Sequence, residues 1–141
     1  MAAIIAGDRY KVPFAGEDGN SSNWNGYYKM PAAGSIGDTV DLFEVPAGAR
    51  IDEYGFTWAG QSGTTATVAI GWKYKDGSAG GSASALRTAT AVGAAAGSVN
   101  AGLLPIYFEK PAIIYVTNGV AAFASGAELY VKAEGEFVGT K

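Results

Sequence analysis

The sequence contains no cysteine and no histidine. Without cysteine there is no disulfide, no thiolate nucleophile and no thiolate metal site. Without histidine the commonest general base, the imidazole metal ligand and the usual near-neutral pH switch are all missing. Any catalysis would have to rest on carboxylates, Tyr and Lys, so the chain reads as a non-enzyme with no cofactor and no metal. Long hydrophobic runs are also missing, because Gly, Pro or charge interrupts every apolar stretch well before the 18 or so residues of a membrane-spanning helix. The opening run Met1 to Gly7 is short and has no basic flank, which does not fit a signal peptide. Positive charge is scarce and scattered: 10 Lys and Arg stand against 13 Asp and Glu, a formal balance of −3, so neither nucleic acid nor membrane is an expected partner. Lys73-Tyr74-Lys75 is the densest basic spot, and Asp76 follows it as at a solvated hairpin end.

What the chain does have is strand and turn chemistry. Its 141 residues fit one domain, in which folding buries roughly 68% of the unfolded surface. Residues 1 to 37 are irregular, punctuated by glycines among Asn and Ser, and read as an extended N-terminal arm that could add one strand to the fold. Tyr10, Phe14, Trp24, Tyr27 and Tyr28 are too many aromatics for a freely solvated tail. Two readings stay open: the arm folds back over its own domain, or part of it lies on a partner, where Trp and Tyr are common anchors.

From Asp38 onward strands come at regular spacing. Val40 and Leu42 alternate with Asp41 and Phe43, up to a turn at Pro46-Ala47-Gly48. Tyr54, Phe56 and Trp58 share one face of the strand from Ile51 to Ala59. Ala66, Val68, Ile70, Trp72 and Tyr74 share one face of the next, which ends at the Asp76-Gly77 turn. The small-residue segment 78 to 102 is ambiguous, and its part from Ala85 to Val92 suits a short helix or a strand. Leu103 to Glu109 reads as an edge strand because it carries Pro105. Ala112 to Thr117 is apolar on both faces and reads as a central strand. Ala127 to Val138 closes the chain. Short strands joined by Gly and Pro turns give an all-β fold, a jelly-roll-like antiparallel β-sandwich over residues 38 to 141.

Candidate chemistry is thin. Asp52 and Glu53 are neighbours on a strand and point to opposite faces, unlike a glycosidase pair. Glu134 and Glu136 share a face about 7 Å apart, in the manner of exposed solubility charges. Glu17-Asp18-Gly19-Asn20 lacks the alternating acids of a calcium loop, and Asp76 to Gly81 lacks the Gly-Lys-Ser/Thr of a phosphate loop. Trp24, Tyr27 and Tyr28 offer flat faces for a sugar ring or for a protein partner.

The run Val45-Pro46-Ala47-Gly48-Ala49-Arg50-Ile51, followed by a strand, an Ala/Thr-rich hairpin and Ile70-Gly71-Trp72 leading to Asp76-Gly77, resembles small jelly-roll cement (decoration) proteins of tailed phages, in the layout of their podophage members. The likeness extends through the Ala/Gly/Ser-rich middle, the strand Ala112 to Thr117, the turn Ala124-Ser125-Gly126-Ala127 and the final Leu129-Tyr130-Val131 strand. It covers about residues 38 to 138. The resemblance implies a virion protein, assembled in the host cytoplasm, that binds the outside of the capsid, bridges phage major capsid protein subunits and acts as a homo-oligomer, with a homodimer favoured. Tyr10, Phe14, Trp24, Tyr27 and Tyr28 are the candidate capsid contacts. The alternative is a carbohydrate-binding β-sandwich serving as a virion surface adhesin.

Overall fold

The computed structural model describes residues 3–5, 21–60, 66–92 and 96–139. These residues form strands only: β1 Ala3–Ile5, β2 Ser21–Lys29, β3 Thr39–Val45, β4 Ala49–Ala59, β5 Thr67–Tyr74, β6 Ser82–Ala91, β7 Gly97–Tyr107, β8 Ala112–Gly119 and β9 Glu128–Phe137. They build a five-stranded sheet in the order β1-β3-β8-β5-β6 and a four-stranded sheet in the order β2-β9-β4-β7.

The order follows from one hairpin. At Asp76-Gly77 the chain reverses, with the Gly77 N–H donating to Tyr74 O at 3.2 Å and the Ser78 N–H to Asp76 Oδ1 at 2.8 Å, the side-chain turn that Asp favours. Outward from that reversal the strands pair antiparallel in nested fashion: β5 with β6, β4 with β7, β3 with β8, β2 with β9. Folding this long double strand over itself adds the pairs β4·β9 and β5·β8 and gives a jelly roll. β1 lies parallel to β3 at the rim.

The interior is where the expected rows meet. Tyr54 and Phe56 of β4 and Val68 and Ile70 of β5 are buried in one cluster, with Trp58, Trp72 and Tyr74 packed against it. Trp72 sits edge-on to Phe108, ring centroids 5.0 Å apart, a favourable aromatic arrangement. β8 occupies the centre of its sheet, and β7, which carries Pro105, is an outer strand. The ambiguous segment from Ala85 to Val92 belongs, up to Ala91, to strand β6, because its backbone completes the hydrogen bonds of β5. β7 begins at Gly97, earlier than the pattern at Leu103 predicts. Trp58 is the reason: it lies over the register partner Gly97, where a Cβ would stand 2.3 Å from the indole.

Two sequence-based expectations need correction. Leu42 and Phe43 were expected on opposite faces, yet both are fully buried. A register shift between Asp41 and Phe43 reverses the parity of β3, as a bulge does. A second shift, between Ile51 and Glu53, lets Ala49 and Ile51 and then Tyr54 and Phe56 all face inward. The other correction concerns the irregular arm. Its residues 6–20 lie outside the described residues, but Ser21–Lys29 is a regular strand paired with β9 along its whole length. Ser22, Trp24 and Gly26 point inward while Asn23, Asn25, Tyr27 and Lys29 point out, a period of two hidden by Asn- and Gly-rich composition. Gly26 lets β2 close onto β3, since a Cβ there would stand 2.6 Å from Leu42 O.

Candidate interaction surface

Of the aromatic residues expected to touch a partner, the three that are described are not gathered in one patch. Tyr10 and Phe14 lie outside the described residues. Trp24 is fully buried in the core, and Tyr28 packs against that core from the same face of β2. Tyr27 alone of the three on β2 faces clearly outward, at 45% exposure, beside its register partner Tyr130.

Around Tyr27 the outer face of the four-stranded sheet is polar and internally matched. Arg50 Nη2 meets Glu136 Oε1 at 2.5 Å, Lys132 Nζ meets Glu134 Oε1 at 3.3 Å, and Asn23 Nδ2 donates to the same Glu134 oxygen at 3.3 Å. Glu134 and Glu136 therefore each hold a cation rather than standing as a free acid–base pair. Partial desolvation, with Glu128 close by, raises the Tyr27 phenol above its ordinary value. On the other sheet Lys73 Nζ reaches Asp41 Oδ1 at 3.0 Å and lies 4.9 Å from the Tyr115 ring centroid; burial, and then the Asp41 charge, raise the Tyr115 phenol. Among the described residues no three acidic side chains come together as a metal site, and no helix is long and apolar enough to cross a membrane.

The two ends of the sandwich differ sharply. Register places the end of β2 at Lys29, the start of β9 at Glu128 and the end of β4 at Ala59 side by side, with the start of β7 next to Trp58. In the other sheet the starts of β3 and β5 and the ends of β8 and β6 lie together at the same end. The strand ends that flank positions 30–38, 60–66, 92–96 and 120–127 therefore lie together at one end. Those positions hold no Lys, Arg or Glu, and their one ionisable residue is Asp38, which is buried. The opposite end carries connections 46–48, 75–81 and 108–111 with Lys75, Asp76, Glu109 and Lys110. There Lys75 meets Glu44 at 3.2 Å and Lys110 meets Asp76 at 3.4 Å.

At the first end Lys29 and Glu128 pair at 3.9 Å on the strand ends, while hydrogen bonds fix the connections themselves. Asn118 is buried; its Oδ1 accepts from the Gly37 N–H at 3.0 Å and its Nδ2 donates to Ala121 O. The Gly34 N–H donates to Phe123 O at 3.0 Å, and the Ser35 N–H to Asp38 Oδ2 at 2.8 Å. This framework holds two apolar side chains in water, Ile36 at 61% exposure and Val120 at 68%. Val120 has φ +66°, and the Ala121 N–H donates across it to Gly119 O at 2.7 Å. That is the rare γ-turn with a positive central φ, a strained conformation for a β-branched residue. Sequence reasoning, drawn to aromatics, passed over Ile36 and Val120. The signal it had available was the run of charge-free connections.

The sequence matches no protein-family profile and no curated protein. Its fold is similar to that of a chain in the capsid of Ralstonia phage GP4, with a TM-score of 0.76, 17% identity and coverage of 99% of both chains. The fold is that of a phage-capsid chain. A chain of the cyanophage Pam1 capsid asymmetric unit is also similar, with a TM-score of 0.63 at 18% identity over 89% of this chain and 91% of that one. At these identities the likeness is one of fold: an all-β sandwich of two sheets.

Proposed function

We propose that the protein is a structural component of a phage virion: a cement protein that binds the outer surface of the capsid, bridges major capsid protein subunits and acts as a homo-oligomer, a dimer in the simplest case. The observation that carries this reading is the likeness to the GP4 capsid chain over 99% of both chains. The chemistry agrees with it. His and Cys are missing, and the acids Glu134 and Glu136 are engaged in ion pairs. The alternative of a sugar-binding adhesin loses its main platform, since Trp24 is buried in the core.

A protein that binds only the assembled shell stabilises it by mass action, about 2.7 kcal/mol per site at 100 times its dissociation constant. Bridging two subunits, or binding as a dimer, adds avidity without a strong single contact. Purified protein is expected to cosediment with capsids that lack it and to raise their disruption temperature. Failure in both assays would sink the reading.

A further inference from the structure

We propose that Arg87, at the open side of the sandwich between β6 and β7, receives a carboxylate side chain of the capsid protein. This rests on the virion role proposed above and names a residue and a chemistry through which that role is carried out. Three observations lead here.

The first is that Arg87 has no acidic partner. Lys29, Arg50, Lys73, Lys75, Lys110 and Lys132 each stand 2.5 to 3.9 Å from a carboxylate oxygen. Arg87 is the remaining cation among the described residues, and none of their carboxylates pairs with it. The sequence explains this, because β5, β6 and β7 contain no Asp or Glu. On β4 the acids Asp52 and Glu53 precede the part, Phe56 to Trp58, over which Arg87 lies.

The second is the way the guanidinium is held. Arg87 is the register partner of the fully buried Ile70, so its side chain starts from the same, inward face of the sheet. Its Cζ lies 5.3 Å from the Phe56 ring centroid and 5.6 Å from that of Trp58, both within cation–π range. These rings belong to the facing sheet. Nε is shut off from water and has no hydrogen-bond partner. Ring contact replaces only part of the hydration that the group gives up. A side chain that only had to cover the rings would do so without a charge, so folding alone gives the charge no use.

The third is access. β6 and β7 are the end strands of their sheets, and among the described residues no further strand flanks them. Arg87 is only partly buried, and its terminal nitrogens, unlike Nε, stay open to water. They present N–H groups in a planar arrangement that matches the two oxygens of a carboxylate. Holding the group on two rings before a partner arrives reduces the ordering cost of binding. A second copy is poorly suited to supply the acid, since Asp41, Glu44, Asp76, Glu128, Glu134 and Glu136 already hold cations. The shell is the surface that the proposed role requires the protein to meet.

The test uses capsids lacking the protein and the whole chain. Arg87→Met keeps an unbranched side chain over the rings and removes the charge; it is expected to weaken capsid binding about tenfold or more and to make binding less sensitive to salt. Arg87→Lys keeps the charge and loses the planar donors, and is expected to bind between wild type and Arg87→Met. That order decides the matter, because a side chain serving only as a cover would tolerate Met at least as well as Lys. Wild-type binding is itself expected to weaken with added salt, and salt-insensitive binding would overturn the assignment whether or not the variants fold. If wild type binds and Arg87→Met binds equally well, or better than Arg87→Lys, this assignment is overturned and the cement role stands. If wild type does not bind at all, both fall. Sedimentation of the free protein supplies the remaining outcome: an oligomer that Arg87→Met dissociates would show that a second copy supplies the carboxylate, which also overturns the proposal.

Discussion

The two ends of the jelly roll are held by different forces. At the charged end, short connections are pinned by ion pairs among exposed side chains, Lys75 with Glu44 and Lys110 with Asp76. At the other end, the connections 30–38 and 120–127 are laced by directional hydrogen bonds to buried groups, with Asn118 at the centre. Exposed ion pairs are weak because water and salt screen them. Buried hydrogen bonds are also modest in net terms, but removing one partner strands the other without water. The connections around Asn118 are thus held without ion pairs of their own, although the exposed Lys29 and Glu128 pair at 3.9 Å on the neighbouring strand ends. The charged end is kept solvated.

This contrast makes unequal predictions. The largest effect is expected from Asn118→Ala, which leaves the Gly37 N–H and the Ala121 carbonyl without their partner. A loss of about 2–3 kcal/mol in urea unfolding is expected, and a loss below about 0.5 kcal/mol would mean that the lacing is incidental. Next is Val120→Gly. Relief of a strained positive φ stabilises by roughly 1–3 kcal/mol, against which the extra freedom of Gly in the unfolded chain costs about 0.4–1 kcal/mol. A net gain near 1 kcal/mol is expected in the same assay, and destabilisation would remove the claim of strain. At the charged end Lys75→Ala is expected to cost about 0.2–1 kcal/mol, with the difference from wild type shrinking at high salt. A larger, salt-independent loss would erase the distinction between the ends.

The smallest effect concerns pH. Hydrogen bonds from Ser78, with Lys110 nearby, hold the Asp76 carboxyl below its ordinary value of 3.8. A carboxylate with a depressed folded-state pKa stabilises the fold above its unfolded value, and that contribution fades as pH falls through the folded value. The Asp76 contribution should therefore be fully present and constant with pH near neutrality and be lost below roughly pH 4, and the acid decline in stability should be shallower in Asp76→Asn. An identical acid slope in that variant would show that the turn gains nothing from the charge.

Much of this fold is legible in the sequence. The Asp76-Gly77 reversal, the inward row Val68, Ile70 and Trp72, the central place of Ala112 to Thr117 and the outer place of the strand with Pro105 all follow from turn chemistry and side-chain period. Strand β2 was hidden because Asn23, Asn25 and Gly26 are poor strand formers by composition. Pairing with β9 and burial of Trp24 outweigh that preference. The candidate surface was harder still. Aromatic residues suggested contacts on residues 1 to 37, but Trp24 serves the core, and the most exposed large apolar side chains among the described residues are the aliphatic Leu104, Val120 and Ile36, far apart in the chain.

By itself the sequence determined the absence of thiol and imidazole chemistry, the all-β class, the principal turn and the charge-free composition of four connections. These are local or additive properties, set by side-chain type, period and backbone freedom. The tertiary structure decided the rest: the parity reversals at Asp41/Phe43 and Ile51/Glu53, the inward turn of Trp24, and the gathering of those four connections at one end. Each depends on which strands hydrogen-bond across the nested hairpin, and long-range pairing energy, not local preference, selects that arrangement.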